Sequence, residues 1–80
     1  MNTELLFFSA PWCGPCRQMK TMLTDSIKEE LNIEIIDITV DTEMSVKHQI
    51  MNVPTFVKIQ DGEVVSRKIG STTIDSLKLL

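Results

Sequence analysis

Two cysteines separated by two residues, in the run Trp12-Cys13-Gly14-Pro15-Cys16, constrain this chain more than any other feature. Thiols at that spacing can close a disulfide within one helical turn. Just before them, Leu5-Leu6-Phe7-Phe8 is a short apolar run that reads as a buried strand. Just after them, Met19, Met22, Leu23, Ile27 and Leu31 recur at helical spacing. The pair therefore lies where a strand ends and a helix begins, with Cys13 near the helix N-terminus and Cys16 one turn inside. Free N–H groups and the macrodipole at a helix start favour a thiolate, the nucleophilic form of cysteine. Cys16 is then close enough to attack a mixed disulfide formed on Cys13.

The bulk composition narrows the alternatives. Eighty residues suit one domain, residues 1–80, and a chain this short buries only about 60% of its unfolded surface. The 42% hydrophobic content is enough for a small core. A net charge of −3 argues against a nucleic-acid partner, which calls for a basic patch. Asn2-Thr3-Glu4 carries no basic charge and the apolar run after it is short, so neither a signal peptide nor a membrane span is expected. Two cysteines are too few for a disulfide scaffold, and a single Cys-x-x-Cys reads as redox-active in a reducing, cytoplasmic compartment. Zinc would need about four ligands, and only His48 adds a soft donor to the two thiols.

No repeat, linker or biased tract divides the sequence. Glu4 to Ser9 reads as a first strand, and Gly14 to about Leu31 as one helix ended by Asn32. Ile33 to Val40 is isoleucine-rich and reads as a second strand buried on both faces. Asp41 or Thr42 then caps a short helix to about Met51, with Met44 and Ile50 turned inward and His48 at the surface or at the cap. Val53-Pro54 interrupts that helix. Thr55 to Gln60 and Glu63 to Ile69 flank Asp61-Gly62, a strong hairpin signal. Gly70 ends the last strand, and Ser71-Thr72 can cap a final helix on which Ile74, Leu77 and Leu80 share a face. The order β-α-β-α-β-β-α, with right-handed crossovers and one hairpin, gives an α/β fold: a four-stranded mixed sheet with helices on both faces.

The segment Ser9-Ala10-Pro11-Trp12-Cys13-Gly14-Pro15-Cys16-Arg17 closely resembles the active-site segment of the thioredoxin family. The element order likewise matches the minimal thioredoxin fold, the core shared with glutaredoxins, without the extra first strand and helix of full-length thioredoxins. The resemblance implies a thiol-disulfide oxidoreductase in which Cys13 attacks and Cys16 resolves. No bound cofactor is implied. Reducing equivalents would come from NADPH through a thioredoxin reductase, the partners would be disulfide-containing proteins, and the protein would act as a monomer. Glycine-proline between the thiols, Gly14 and Pro15, belongs to reducing thioredoxins, and Trp12 offers a flat contact surface beside Cys13. Met51-Asn52-Val53-Pro54-Thr55 is similar to the family's cis-proline loop, and Gly70 aligns with a glycine beside the substrate groove. Sequence alone would leave Pro54 trans, since only about 5–6% of X-Pro bonds in folded proteins are cis; the resemblance implies cis.

Two departures from the family stand out. Thioredoxins carry a buried aspartate six residues ahead of the first cysteine, where this chain has Phe7. A neighbouring position, usually lysine, aligns with Asp37. Two readings of Asp37 stay open: a displaced acid, desolvated beneath Cys16 with a raised pKa, or a solvated residue near a strand end. Two rival functions also stand. One is a glutathione-dependent, glutaredoxin-like redoxin, although Gly70-Ser71-Thr72-Thr73 lacks the paired glycines and acid that hold glutathione. The other is a docking module without catalysis.

Overall fold

The chain is organised around β1 (Thr3–Ser9), which is paired on both sides. A computed structural model describes residues 2–80. Beyond β1 come α1 (Gly14–Met22), α2 (Asp25–Leu31), β2 (Ile33–Asp37), α3 (Thr42–Lys47), β3 (Thr55–Gln60), β4 (Glu63–Ile69) and α4 (Ile74–Lys78). The strands lie in the order β2-β1-β3-β4. β1 pairs parallel with β2, Leu5 opposite Ile33 and Ser9 opposite Asp37, and antiparallel with β3, Phe7 opposite Phe56. β3 and β4 form the antiparallel hairpin. This is the mixed α/β sheet expected from the element order.

Double pairing explains why β1 is apolar on both faces. Leu5 and Phe7 join Cys13, Cys16, Met19, Leu23, Phe56 and Leu77 in one buried cluster, sided by α1 and α4. Leu6 and Phe8 join Ile36 and Val57 in a second cluster, with Met44 and Ile50 packed against it from the α3 side. Met44 and Ile50 thus face inward as their spacing implied. Asp61 and Gly62 both take positive φ, 52° and 85°, the backbone that a two-residue hairpin turn requires.

Several boundaries differ from the sequence reading. The expected helix from Gly14 to Leu31 breaks after Met22. Thr24 there accepts a hydrogen bond from the Ile27 N–H at 3.3 Å and starts α2 as its N-cap. A threonine followed by an acid caps a new helix better than it continues an old one. Met22, at the end of α1, is consequently exposed. The second strand ends at Asp37 rather than Val40 and is not buried on both faces. It is an edge strand, and only Ile36 is fully buried, while Glu34 and Ile35 are exposed. α3 stops at Lys47 instead of Met51, with Gln49 at φ 54° just beyond it. The final helix is capped by Thr73, whose hydroxyl accepts from the Ser76 N–H at 3.1 Å, and not by Ser71 or Thr72.

Candidate active site

Cys13 is the N-cap of α1 and Cys16 lies in its first turn, with Pro15 at a position where its missing N–H costs no helix bond. The two are disulfide-bonded, Cα to Cα 5.2 Å. The Cys16 N–H donates to Cys13 Sγ at 3.1 Å, so a helix-start donor already points at the sulfur that must become a thiolate. Cys16 is fully buried and Cys13 is 5% exposed, a smaller opening than the partial exposure expected of an attacking thiol. The accessible end of the pair is nonetheless Cys13. The loop ahead of it is folded tightly. The Cys13 N–H donates to the Ala10 carbonyl at 3.1 Å, and the Arg17 guanidinium donates to the Pro11 carbonyl at 3.1 Å. Arg17 therefore staples the loop.

Trp12 is 68% exposed, so it is not a core residue. It lines a groove of about 220 Å³ with Ile38, Ile50, Met51, Asn52 and Val53. The Val53–Pro54 bond is cis, as the resemblance implied. Pro54 is buried, and its carbonyl accepts from the Gly70 N–H at 2.8 Å, which ties the proline loop to the end of β4. Gly70 holds φ at 94°, in the region that favours glycine. Gly14 has open space about its missing Cβ, consistent with close approach by another chain. The structure thus brings Trp12, the two cysteines, Val53, Pro54 and Gly70 to one end of the sheet. Ile38 joins that groove without having been singled out in the sequence. The available signal was topological: β2 runs parallel to β1, so the residue after β2 emerges beside the residues after β1.

Of the two readings left open for Asp37, its hydrogen bonds favour the residue near a strand end over the displaced acid. Its Oδ1 accepts from the Thr39 hydroxyl at 2.6 Å and from the Thr39 N–H at 2.8 Å. First that hydroxyl, then that N–H, and more weakly the Lys20 ammonium hold the carboxyl below its ordinary range. The direction is opposite to that of the displaced-acid reading: the half-buried side chain closes the turn after β2, and its burial is too slight to outweigh those donors. Phe7, in the position of the family's acid, is fully buried and stacks on Phe56 with ring centroids 4.6 Å apart. Both rings share the cluster that contains Cys16, so aromatic carbon takes the place of a carboxylate. His48 also departs from expectation. It does end α3, yet it is only 7% exposed and its ring lies 5.6 Å from that of Phe8. Burial, then the Lys47 and Arg67 charges, push its pKa down. Among the described residues, no group of three or more His, Cys, Asp or Glu side chains could hold a metal ion.

The family model described as Thioredoxin matches residues 2–79. The chain belongs to the thioredoxin family. It is 36% identical over 76 residues to the thioredoxin of Bacillus subtilis (strain 168), covering 91% of this chain and 73% of that protein. It is 31% identical over 70 residues to the bifunctional thioredoxin reductase/thioredoxin of Mycobacterium leprae, covering 84% of this chain and 15% of that one. The X-ray structure of Fasciola hepatica thioredoxin superposes with a TM-score of 0.84 at 28% identity, covering 98% of this chain and 76% of that chain. Family membership and the bonded cysteine pair together make this thioredoxin-like protein a thiol-disulfide oxidoreductase acting through a reversible Cys13–Cys16 dithiol/disulfide.

Proposed function

We propose that the protein runs in the reducing direction, passing electrons from NADPH, through a thioredoxin reductase, to disulfides in other proteins. The observation that carries this reading is the Cys16 N–H aimed at Cys13 Sγ, with Cys16 itself sealed from solvent. Cys13 thiolate attacks one sulfur of a substrate disulfide, and the other sulfur leaves as a thiolate. Cys16 then attacks Cys13 in the mixed disulfide, the Cys13–Cys16 bond forms, and the second substrate thiolate departs. Both substrate sulfurs are reduced and both protein sulfurs oxidised, so an outside donor must reset the pair.

Capture of the substrate falls to the groove. Trp12, Met51 and Val53 present apolar surface, and the Val53 N–H and C=O make no hydrogen bond among the described residues. An extended chain could add there as a short strand. The Mycobacterium leprae relative, which joins a thioredoxin reductase to a thioredoxin, supports a reductase as the electron source. With one thiol pair and a net acidic surface, a monomer working in a reducing cytoplasm is the setting that fits this chemistry.

Insulin reduction tests the reading. Turnover is expected with NADPH and thioredoxin reductase, little with glutathione and glutathione reductase, and none for Cys13→Ser. Faster turnover with glutathione would assign the glutaredoxin-like role instead. Undiminished partner binding by Cys13→Ser, with no turnover by the parent protein, would assign docking.

A further inference from the structure

Ser9 closes β1 two residues beyond Phe7, and strand alternation sends its side chain to the same face of the sheet. It is fully buried, yet its Oγ has no hydrogen-bond partner. Two other buried polar atoms among the described residues share that condition, His48 Nε2 and Ser66 Oγ. His48 packs on Phe8, on the opposite face of β1. Ser66 shares the cysteine face but lies on the edge strand β4, paired with Lys58 and so level with Leu5, four residues back along β1 from Ser9. Ser9 therefore supplies the unpaired hydroxyl at the end of that face from which the chain runs on to the cysteines. Its backbone is held in place, since its carbonyl accepts from the Ile38 N–H at 2.9 Å and the chain beyond it turns back through the bond from Cys13 to Ala10.

A buried hydroxyl without a partner is costly, and native proteins rarely keep one without a reason. Here the cysteines are in the disulfide form, in which Cys16 has no proton to donate and a sulfur that accepts hydrogen bonds poorly. Reduction changes that. When two thiols of glutathione reduce the bridge, the Cys13–Cys16 bond breaks, each cysteine gains a hydrogen, and the glutathione is oxidised to its disulfide. Cys16 is then a fully buried thiol in one cluster with Phe7, Met19 and Phe56, whose side chains offer it no acceptor stronger than the Met19 thioether. A serine hydroxyl can accept from the thiol or donate to the thiolate.

We propose that Ser9 Oγ hydrogen-bonds Cys16 Sγ in the dithiol form and is left unpaired in the disulfide form. Ser9 thereby biases the couple toward the dithiol. It also stabilises the Cys16 thiolate needed for the resolving step, in a chain where position 7 is Phe7 and offers no carboxylate to take the thiol's proton.

The test is the redox equilibrium of the full chain against glutathione, for the parent, Ser9→Ala and Ser9→Thr. Loss of one hydrogen bond in the reduced form should move Ser9→Ala roughly fivefold toward the disulfide. A fivefold change is a potential about 20 mV more negative. Ser9→Thr, which keeps the hydroxyl, should return toward the parent. Urea unfolding of both redox forms provides the second measurement. Ser9→Ala should weaken the reduced protein by the same factor while leaving the oxidised protein unchanged or more stable. An unchanged potential, or equal loss of stability in both forms, would overturn the proposal and leave Ser9 a packing residue. Failure of the oxidised Ser9→Ala protein to fold would overturn it too, because the hydroxyl makes no contact in that form. Neither measurement uses a reductase or a protein substrate, so they stand or fall apart from the proposed function.

Discussion

Gly70→Ala separates two kinds of constraint at the groove. No atom lies within 4 Å of the Cβ that alanine would add, so packing raises no objection. The backbone does, because φ at Gly70 is 94°, and an L-residue held in left-handed space loses about 1–2 kcal/mol. Replacing glycine also restricts the unfolded chain, which returns about 0.4–1 kcal/mol. The net expectation is a loss of about 1 kcal/mol, equivalent to a fall in Tm of about 4–8 °C for a domain of this size. Urea unfolding of the oxidised protein measures it directly. The strain acts through the Gly70 N–H bond to the Pro54 carbonyl, so KM for insulin should rise more than kcat falls. Gly14→Ala is the matched control. Its surroundings are equally open, its φ is not in the positive range, and alanine is the better helix former at the start of α1. Stability there should hold or improve while kcat/KM drops, if Gly14 admits a partner chain. Equal stability of Gly70→Ala and the parent would refute the argument that backbone conformation, rather than space, selects glycine at position 70.

Other perturbations test the site's electrostatics. Asp37→Asn should leave insulin turnover near that of the parent at neutral pH; a loss approaching 10²-fold, the usual consequence of removing a general base, would restore Asp37 as the proton acceptor. Burial lowers the folded-state pKa of His48, so its neutral form is the one that folding favours. The stability this confers is present above the unfolded value near 6.5 and is lost as pH falls from there toward the lowered value. Urea midpoints measured between pH 7.5 and 5 should therefore fall more steeply in the parent than in His48→Gln, and parallel curves would contradict the burial argument. Iodoacetamide should alkylate Cys13 in the reduced protein at a pH below that of an ordinary thiol, and Cys16 in Cys13→Ser far more slowly. Equal rates for the two would mean that the Cys16 N–H and the burial of its thiol do not divide the roles.

What the chain's order of residues determined by itself was local. Cys13-Gly14-Pro15-Cys16 between an apolar strand and an amphipathic helix specifies a redox pair at a helix start, because capping, proline placement and helical spacing act over a few residues. Asp61-Gly62 specifies the hairpin for the same reason, since both positions must take positive φ. The likeness of residues 9–17 and 51–55 to one family then carried the fold, the cis bond and the chemistry.

Tertiary structure decided whatever depends on which strand lies beside which. Ile33 to Val40 reads as a strand buried on both faces, but the strand ends at Asp37 and its place at the sheet edge leaves one flank unpaired and Glu34 and Ile35 exposed. Asp37 could be a proton acceptor or a turn residue until Thr39 is seen donating to it twice. His48 reads as surface or helix cap; it does cap α3, and packing against Phe8 also buries it. Ser9 looks like an ordinary strand end; only the packed fold shuts its hydroxyl away on the same face as the cysteines. Burial, and with it pKa and hydrogen-bond satisfaction, is a property of contacts between residues far apart in the chain, so residue order alone leaves it open.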